Sequence, residues 1–390
     1  MTSIALTNIQ TLVTNSSQHG TGVLGEINNC SLVIEDGVIS QISPTIPQGV
    51  DQEIDCSAKT VIPGFVDSHS HLIFAGDRSA EFAARARGEK YSASGIATTV
   101  SATRAASDEA LSHNVEKLLN EAISLGTTTI EIKSGYGLTT HDETRCIDIA
   151  TRFTDETTLL AAHVVPLEYR DDPDCYVELI LNEMIPKTRA KWIDVFCDQG
   201  AFSGEQTRRI LAAGKAAGLQ ARIHANQLSH SDAVAIAVEY DAASADHLGQ
   251  SSMKDIEMLA ASNTVATLLP GAEFSTQNHE KIGRKFLDAG MRVAIASDCN
   301  PGSSYTTSIS FCISAAVNLL GFTVEEALHA ATAGGAAALR RTDIGHLAPG
   351  ARADFAILDA PSYIHLAYRP GINLVEETWK NGKRAHTWHK

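Results

Sequence analysis

The chain has 390 residues, of which 44% are hydrophobic and 20% are charged, so it is long enough and apolar enough to bury a full core. This composition excludes a disordered or collagen-like protein. The 31 lysine and arginine residues against 46 aspartate and glutamate residues give a net charge of −15, which disfavours binding to nucleic acid or to an anionic membrane surface.

The termini and the cysteines predict a cytoplasmic protein. No apolar run approaches the roughly 18 residues of a membrane-spanning helix, and the first residues lack the basic start and the small-residue cleavage site of a signal peptide. The seven cysteines are scattered and form no C-x-x-C motif, so we expect reduced thiols rather than disulfides or a thiolate zinc site.

The first sixty residues have the texture of short strands separated by turns. Asp36-Gly37 and Pro44 are the turn signals. We expect strands at residues 3–12, 32–35, 38–42 and 53–55.

From residue 61 the pattern changes, and short apolar runs rich in β-formers alternate with segments of helical period, such as 205–217 and 253–261. Eight such repeats match the size and rhythm of a (β/α)8 TIM barrel, although a doubly wound sheet produces a similar pattern. We expect the eight strands at residues 61–66, 127–132, 159–164, 192–196, 219–223, 242–245, 264–268 and 292–296.

The carboxyl-terminal part of the sequence again has the pattern of short strands. Two helices are expected at 323–328 and 335–341, and the sequence GHLAPGARADFAILD then leads into a short polar tail. Because strand-rich segments flank the barrel at both ends, they can pair with each other. We therefore predict an α/β fold with a small β-sandwich domain, formed by residues 1–60 and 346–390, and a barrel domain formed by residues 61–345.

Polar residues stand where the predicted barrel strands end. The carboxyl ends of all eight strands meet at one mouth, and side chains at positions i and i+2 of a strand point the same way. His69 and His71 therefore face one target, and imidazole pairs bind divalent transition metals. Alone, each residue has an ordinary explanation, such as helix capping by Asp298. Their common position favours a metal site. The residues at the ends of strands one, three, five, six and eight are His69, His71, His163, His224, Asp246, His247 and Asp298.

These residues lie in motifs that resemble the amidohydrolase superfamily. PGFVDSHSH at 63–71 resembles the end of its first barrel strand, and GHLAPGARADF at 345–355 resembles its return to the small domain. Further motifs, in order along nearly the whole chain, resemble one branch, whose members open the ring of 4-imidazolone-5-propanoate. They are HLIFAGDR at 71–78, KSGYG at 133–137, AHVVP at 162–166, HANQ at 224–227 and DCNPG at 298–302.

The resemblance implies one divalent metal ion per subunit, zinc or iron, held by His69, His71, His224 and Asp298. Binuclear members carry a carboxylated lysine at the end of strand four, whereas this strand ends in Phe-Cys-Asp at 196–198, which favours a single metal. The metal activates water, and attack on the ring carbonyl opens the C–N bond to give N-formimidoyl-L-glutamate, a step of histidine degradation. A homodimer is usual among the relatives.

The resemblance also implies roles around the metal. His247 is the expected proton shuttle, with assistance from Asp298, and Gln227 is expected to orient the water or the ring. Arg78 is expected to pair with the propionate of the substrate. The other expected substrate contacts are Tyr136, His163, Gln227, Asn300, Gly302 and Ser303. For Gly135, Gly137 and Gly302, turn geometry is an equal alternative, and Lys133 receives no role.

Two residues depart from the pattern of the relatives, because Asn226 and Gln227 stand where acidic residues are found. Glutamine cannot accept a proton, which shifts the expected general base to His247 and Asp298. Two alternative functions remain open: an aminohydrolase or deaminase acting on a nucleobase-like heterocycle, and a non-catalytic scaffold. Arg78 and Tyr136 favour an acidic substrate over a nucleobase, and the presence of all four ligands disfavours the scaffold.

Overall fold

A computed structural model describes residues 3–45, 49–88, 95–277 and 281–388. The chain opens with five strands, which are β1 (Ser3–Val13), β2 (Glu26–Glu35), β3 (Val38–Ser43), β4 (Gln52–Asp55) and β5 (Thr60–Pro63). The parallel strands follow as β6 (Phe65–Asp67), β7 (Thr127–Ile130), β8 (Ile132–Lys133), β9 (Thr157–Ala162), β10 (Trp192–Cys197), β11 (Gln220–Ala221), β12 (Ile223–Ala225), β13 (Ser244–His247), β14 (Val265–Leu268) and β15 (Val293–Ile295). Three strands close the chain, and they are β16 (Phe355–Leu358), β17 (Val375–Lys380) and β18 (Lys383–Thr387).

Helices lie between the parallel strands and after them. In chain order they are α1 (Ser79–Ala86), α2 (Ile96–Ala105), α3 (Asp108–Ser124), α4 (Thr140–Ala150), α5 (Pro173–Leu179), α6 (Ile185–Lys187), α7 (Gly204–Ala216), α8 (Ala233–Glu239), α9 (Met253–Ala260), α10 (Pro270–Thr276), α11 (Ile282–Asp288), α12 (Ile309–Ala315), α13 (Val324–His329), α14 (Gly335–Ala338) and α15 (His365–Tyr368). A 3-10 turn lies at Leu167–Tyr169, and π-helical turns lie at Ile180–Met184, Ala316–Leu320 and Ala330–Gly334. None of the helices in the described ranges is long and apolar enough to cross a membrane.

Strands from both ends of the chain form one eight-stranded sheet, here called the terminal sheet. Its order is β18-β17-β16-β5-β1-β2-β3, with β4 paired to β1. β5 connects the two ends, because it runs parallel to β1 and antiparallel to β16. Apolar side chains from both ends share a core beneath it, where the rings of Phe355 and Trp379 stack with centroids 5.4 Å apart.

The predicted strand at 61–66 is in fact two strands in two sheets. β5 belongs to the terminal sheet, whereas β6 pairs in parallel with β7. Gly64 stands between them, and a Cβ atom there would overlap the Thr128 side chain. The chain passes from the terminal sheet to the parallel strands at Gly64, and this position requires glycine because the Thr128 side chain occupies the space of a Cβ atom.

The remaining parallel strands form the second large sheet, in the order β15-β14-β13-β12-β10-β9-β8, with β11 paired to β10. Backbone hydrogen bonds join both of its edges to the segment that follows β6. On one side Lys133 N donates to Ser70 O at 2.9 Å, and on the other Asp298 N donates to His69 O at 3.0 Å. The first parallel strand therefore lies between the second and the last.

Helix formation follows the sequence pattern. In α3 the buried side chains recur at the spacing of one helical face, and Ser107 caps its amino end by accepting a hydrogen bond from Ala110 N. The two helices predicted at 323–328 and 335–341 are one continuous helical segment, because α13 runs through a π-helical turn into α14. This segment packs against β6 and β15, where Gly334 and Gly335 approach the strand backbones closely.

Candidate metal and active site

The two histidines after β6 lie side by side, as their i and i+2 spacing predicts. Both are buried, and their Nε2 atoms are 3.3 Å apart. The backbone on either side is fixed by the last parallel segment, since His71 N donates to Cys299 O at 3.0 Å. The pair is therefore held at the carboxyl end of the first parallel strand.

Asp298 and His224 complete this cluster. Asp298 Oδ1 lies 3.6 Å from His69 Nε2 and 3.4 Å from His71 Nε2. The potential ligand atoms of His69, His71 and His224 all lie within 4.8 Å of one another, as do those of His69, His247 and Asp298. The structure thus brings together all four residues for which the sequence predicted metal binding.

The chemistry of this cluster fits a divalent metal ion. Burial holds the pKa values of His69 and His71 well below their usual range, so both rings are neutral and can donate a lone pair. Nε2 of His224 is buried and has no hydrogen-bond partner among the described residues. Three imidazoles and one carboxylate form a donor set that zinc and iron both accept. The site can therefore hold a metal.

Two buried carboxylates orient the imidazoles. Asp246 Oδ2 lies 2.7 Å from Nδ1 of His69, and Asp194 Oδ2 lies 3.0 Å from Nδ1 of His224. A carboxylate at Nδ1 keeps the ring proton there and leaves the Nε2 lone pair for a metal. From the sequence, Asp246 was expected only as one of the polar residues at the strand ends, and Asp194 was not predicted at all.

A further group of buried charges lies next to these two carboxylates. Lys133 Nζ is 2.9 Å from Asp194 Oδ2 and 3.0 Å from Glu131 Oε1, and Arg222 Nη2 is 3.4 Å from Asp246 Oδ2. Burial acts to lower the pKa of Lys133, but the neighbouring carboxylates outweigh it and raise that pKa. The signal in the sequence was charge inside apolar strands, at residues 131, 133, 194 and 222.

His247 lies beside the cluster in an unusual backbone conformation. Its ring centroid is 5.6 Å from that of His69 and 5.2 Å from that of His224. Its φ is +75°, which for a residue other than glycine carries strain and is characteristic of functional sites. Burial lowers the pKa of His247 to about 3, so the imidazole is neutral at physiological pH.

One small cavity adjoins the cluster and collects most of the predicted site residues. His163 stacks on His71 with ring centroids 5.6 Å apart, and its Nδ1 is 2.9 Å from Gly135 O. The cavity is lined by His71, Arg78, Ile96, Tyr136, His163, Phe196, His224, Gln227, His247, Asp298, Asn300 and Ser303. Gly302 lies at its edge, against Arg78.

Arg78 is buried at this cavity and binds Glu81. Nε donates to Oε1 at 2.9 Å and Nη2 donates to Oε2 at 2.7 Å, a bidentate pair. A Cβ atom at Gly302 would overlap the Arg78 guanidinium, and one at Gly95 would overlap the Glu81 carboxylate. Two glycines thus make room for this ion pair.

The segment after Asp298 is a turn that orients the carboxylate. Asn300 Oδ1 accepts hydrogen bonds from the backbone N–H groups of Gly302 and Ser303, both at 2.8 Å. Ser303 Oγ lies 3.3 Å from Asp298 Oδ2. The side chains of Asn300 and Ser303 therefore form hydrogen bonds within the turn itself.

The glycines of the KSGYG motif serve turn geometry. The buried carboxylate of Glu143 accepts hydrogen bonds from the backbone N–H groups of Gly135, Gly137 and Leu138. Gly135 has a φ of +113°, which a residue with a side chain rarely adopts. The loop also positions the buried ring of Tyr136, whose centroid is 6.1 Å from that of the His71 ring.

Gln227 is positioned by Asp198, at the end of β10. Asp198 Oδ2 accepts hydrogen bonds from the backbone N–H groups of Gln227 and Leu228, both at 2.8 Å. Asn226 has a φ of +50°, and its Oδ1 accepts a hydrogen bond from Ser231 N. Asn226 therefore shapes the loop while Gln227 lines the cavity.

Comparison with known proteins gives consistent results. The sequence signature of the amidohydrolase family matches residues 60–390. The chain is 55% identical over 388 residues to the imidazolonepropionase of Streptomyces griseus, covering 98% of this chain and 100% of that one. It is 54% identical over 386 residues to the imidazolonepropionase of Mycolicibacterium smegmatis, covering 98% of each chain.

Solved structures of lower sequence identity share the fold. Atrazine chlorohydrolase from Arthrobacter aurescens, complexed with zinc, superposes with a TM-score of 0.72 at 17% identity, covering 98% of this chain and 94% of that one. An adenosine deaminase from Xanthomonas campestris with bound zinc superposes with a TM-score of 0.70 at 16% identity, covering 98% and 92%.

Proposed function

We propose a function from the premise that this chain belongs to the amidohydrolase family and, within it, to the imidazolonepropionases. The family predicted from the sequence motifs is thereby confirmed. The protein hydrolyses the cyclic amide of 4-imidazolone-5-propanoate to N-formimidoyl-L-glutamate, a step of histidine degradation. The observation that carries this function is the identity of more than half of all residues over nearly the full length of both chains.

The hydrolysis adds one water molecule across the amide bond. The oxygen of water forms a bond to the ring carbonyl carbon, the C–N bond breaks, and the ring nitrogen leaves with a proton. A divalent metal ion, when bound, would supply Lewis acidity and lower the pKa of water toward neutrality. The ligands we propose for one zinc or iron ion are His69, His71, His224 and Asp298, which is supported by the convergence of their ligand atoms.

A single metal ion is supported by the end of β10. This strand ends at Cys197 and continues into Asp198, so it offers no lysine for carboxylation. Lys133, which is buried near the ligands, is bound by carboxylates instead.

We assign the proton transfer to His247, with Asp298 assisting. His247 lies next to the proposed ligands and lines the cavity, so its imidazole is placed to take a proton from the attacking water and pass it to the leaving nitrogen. Gln227 cannot accept a proton, and its amide orients the water or the ring from the cavity wall.

Arg78 is the proposed partner of the substrate propionate. It is the arginine that lines the small cavity, and a guanidinium binds a carboxylate with charge-assisted hydrogen bonds. The other substrate contacts that we propose are Tyr136, His163, Asn300, Gly302 and Ser303.

We also propose the finer architecture. The hydrogen bonds from both sheet edges to the segment after β6 support an eight-stranded barrel that begins at β6 and extends to residue 345, so residues 61–63 of the predicted barrel domain belong to the terminal sheet instead. The pairing of both chain ends supports a small β-sandwich domain over residues 1–60 and 346–390, with β5 extending it to residue 63. All seven cysteines are free, which supports a cytoplasmic location. A homodimer, and the absence of nucleic-acid or membrane partners, remain proposals.

One observation favours a second candidate, an aminohydrolase or deaminase for an uncharged nucleobase-like heterocycle. Glu81 already neutralises the Arg78 guanidinium, and an uncharged substrate would leave this ion pair intact. A non-catalytic scaffold is disfavoured, because all four ligand residues converge.

The test is the turnover of 4-imidazolone-5-propanoate by the zinc- or iron-loaded protein, followed by loss of its ultraviolet absorbance. We expect turnover by the wild type, and a KM raised by about 10–100-fold in Arg78→Ala, since a hydrogen bond to a charged group contributes about 1.5–3 kcal/mol. Arg208→Ala, which removes a guanidinium from the exposed pair with Glu239, is the control and should keep the wild-type KM. Turnover of guanine or cytosine without turnover of imidazolone propionate would establish the second candidate instead.

A further inference from the structure

The buried charges beside the metal ligands have no function in the reaction described above. Five charged side chains in this cluster are fully buried, and they are Glu131, Lys133, Asp194, Arg222 and Asp246. Burying ionised groups is unfavourable unless partners compensate, and apolar residues of similar size would often give a more stable core. Their presence in apolar strands therefore calls for a reason other than stability.

Lys133 contacts both carboxylates that orient metal-binding histidines. Its Nζ is 2.9 Å from Asp194 Oδ2 and 4.0 Å from Asp246 Oδ2. Asp194 binds Nδ1 of His224, and Asp246 binds Nδ1 of His69. One ammonium group thus connects two carboxylates, each of which fixes the ring of one imidazole.

Arg222 holds the same carboxylate of Asp246 from another direction. Its Nη2 is 3.4 Å from Asp246 Oδ2 and donates to Ser68 O at 2.7 Å, next to His69. Nη1 donates to Ala338 O at 3.0 Å, in α14. Asp246 is therefore fixed twice, whereas Lys133 is the cationic side chain that contacts Asp194 in the part of the chain that the structure describes.

Carboxylates outnumber cations in this cluster. The carboxylates are Glu131, Asp194, Asp246 and Asp298, and the cations beside them are Lys133 and Arg222. An excess of carboxylates favours a bound cation.

We propose that Lys133 is a positioning residue for the metal ion, which holds Asp194 and Asp246 so that His224 and His69 present Nε2 to it. The inference rests on the proposed metal site. Without the ammonium group, Asp194 loses its fixed position, and the ring of His224 loses the partner that sets its orientation and tautomer. Loss of such outer partners typically weakens metal affinity by about 10–100-fold.

The test compares zinc dissociation constants, measured by competition with a chelating dye. Lys133→Met removes the ammonium group but also makes the cluster more negative, which by itself attracts a cation. Lys133→Met/Glu131→Gln keeps the net charge of the cluster and leaves no unpaired lysine partner at position 131. We expect the double variant to bind zinc about 10–100-fold more weakly than the wild type.

Lys191→Met is the matched control. Lys191 binds the buried carboxylate of Glu156 at 2.8 Å, and neither residue contacts a proposed metal ligand. This variant should lose stability yet keep the zinc affinity of the wild type. The visible absorption of bound Co²⁺ gives a second readout, because its bands report ligand geometry and should change in both Lys133 variants but not in Lys191→Met.

Each outcome decides the inference. A folded double variant that binds zinc as tightly as the wild type overturns it. Failure of both Lys133 variants to fold, while Lys191→Met folds, also overturns it in favour of a purely structural cluster. A wild type that binds no zinc, iron or cobalt would contradict the proposed metal site itself and so separates the two failures.

Discussion

Single residues at the strand ends determine where the reactive side chains point. Asn226, His247 and Asp298 all have positive φ, at +50°, +75° and +50°. A side chain other than glycine reaches this conformation at a cost of roughly 1–3 kcal/mol. His247 and Asp298 line the cavity in this conformation, whereas Asn226 shapes the loop beside it.

Gly302 is the residue at which the smallest change should have a large effect. The methyl group of Gly302→Ala would displace the Arg78 guanidinium, and a displacement of about 1 Å at a binding group can cost up to roughly 100-fold. We expect KM for 4-imidazolone-5-propanoate to rise by about 10–100-fold, with the far-ultraviolet circular dichroism unchanged. Gly204→Ala is the control, because the nearest atom to the added methyl group is the end of a flexible side chain, Cδ1 of Ile236 at 3.3 Å. An unchanged KM in Gly302→Ala would argue against Arg78 as the propionate partner.

His69→Ala should lose the metal ion and the activity but keep the fold. The variant removes the proposed Nε2 ligand and the ring that Asp246 orients, while the apolar core around the strands remains. Metal content by atomic absorption should fall to near zero, and the circular dichroism spectrum should not change. His141→Ala, at a highly exposed histidine, should retain the metal. Global unfolding of His69→Ala would instead indicate a structural metal.

At the scale of elements, the register of the parallel strands places their functional side chains side by side at one end of the sheet. His224 lies opposite Asp246 across β12 and β13, and Phe196 lies opposite His224 across β10 and β12. A one-residue slip would turn every one of these side chains to the other face. Helices α7 and α8 pack against β10 and β12, the strands that carry Phe196 and His224.

The helix caps contribute stability that is independent of the site. Thr323 caps α13 by accepting a hydrogen bond from Glu326 N, and Glu326 in turn accepts one from Thr323 N. Thr323→Ala should therefore lower the free energy of unfolding by about 1 kcal/mol, measured by urea denaturation, while kcat/KM stays unchanged. Thr323→Ser retains the capping oxygen and should resemble the wild type. A parallel fall in kcat/KM would show that α13 is coupled to the site.

At the scale of the whole molecule, ionic contacts connect segments that are distant in sequence. The buried Glu156 accepts hydrogen bonds from Lys191 Nζ at 2.8 Å, Trp192 Nε1 at 3.0 Å and Arg341 Nη1 at 3.1 Å. Burial acts to raise the pKa of Glu156, but these donors outweigh it and lower the pKa below its usual value. The carboxylate thus joins the parallel sheet to the segment that follows α14.

This depressed pKa makes the contribution of Glu156 dependent on pH. A carboxylate with a lowered pKa in the folded state stabilises the fold above its unfolded pKa of about 4.3, and the stabilisation is lost as pH falls through the folded pKa. Glu156→Gln should lower the free energy of unfolding by about 1–3 kcal/mol at neutral pH. The difference from the wild type should shrink below roughly pH 4.

Urea denaturation over a series of pH values measures this difference. Glu183→Gln, at an exposed pair with Lys187, is the control and should have little effect at any pH. A difference between Glu156→Gln and the wild type that stays constant down to acid pH would exclude the ionised carboxylate as its source.

The sequence by itself predicted that the four proposed ligand residues lie close together. His69 and His71 are two residues apart, and His224 and Asp298 each follow an apolar run, so strand periodicity and the common direction of parallel strands place them at one edge. The resemblance of their motifs to the amidohydrolase superfamily singled out these four as a set. The amidohydrolase motifs could also be recognised in the sequence, because each is a contiguous segment. The residues proposed for the reaction could therefore be recognised from short, contiguous segments of the sequence.

Only the tertiary structure decided which charges lie against one another. Asp246 meets His69 across 177 positions of sequence, and Asp194 meets His224 across 30, so no local pattern pairs them. The same holds for the contact of Lys133 with Asp194, for the approach of Gly302 to Arg78, and for the division of residues 61–66 between two sheets at Gly64. Local periodicity fixes the direction of a side chain, but its partner depends on packing between segments that the chain brings together only on folding.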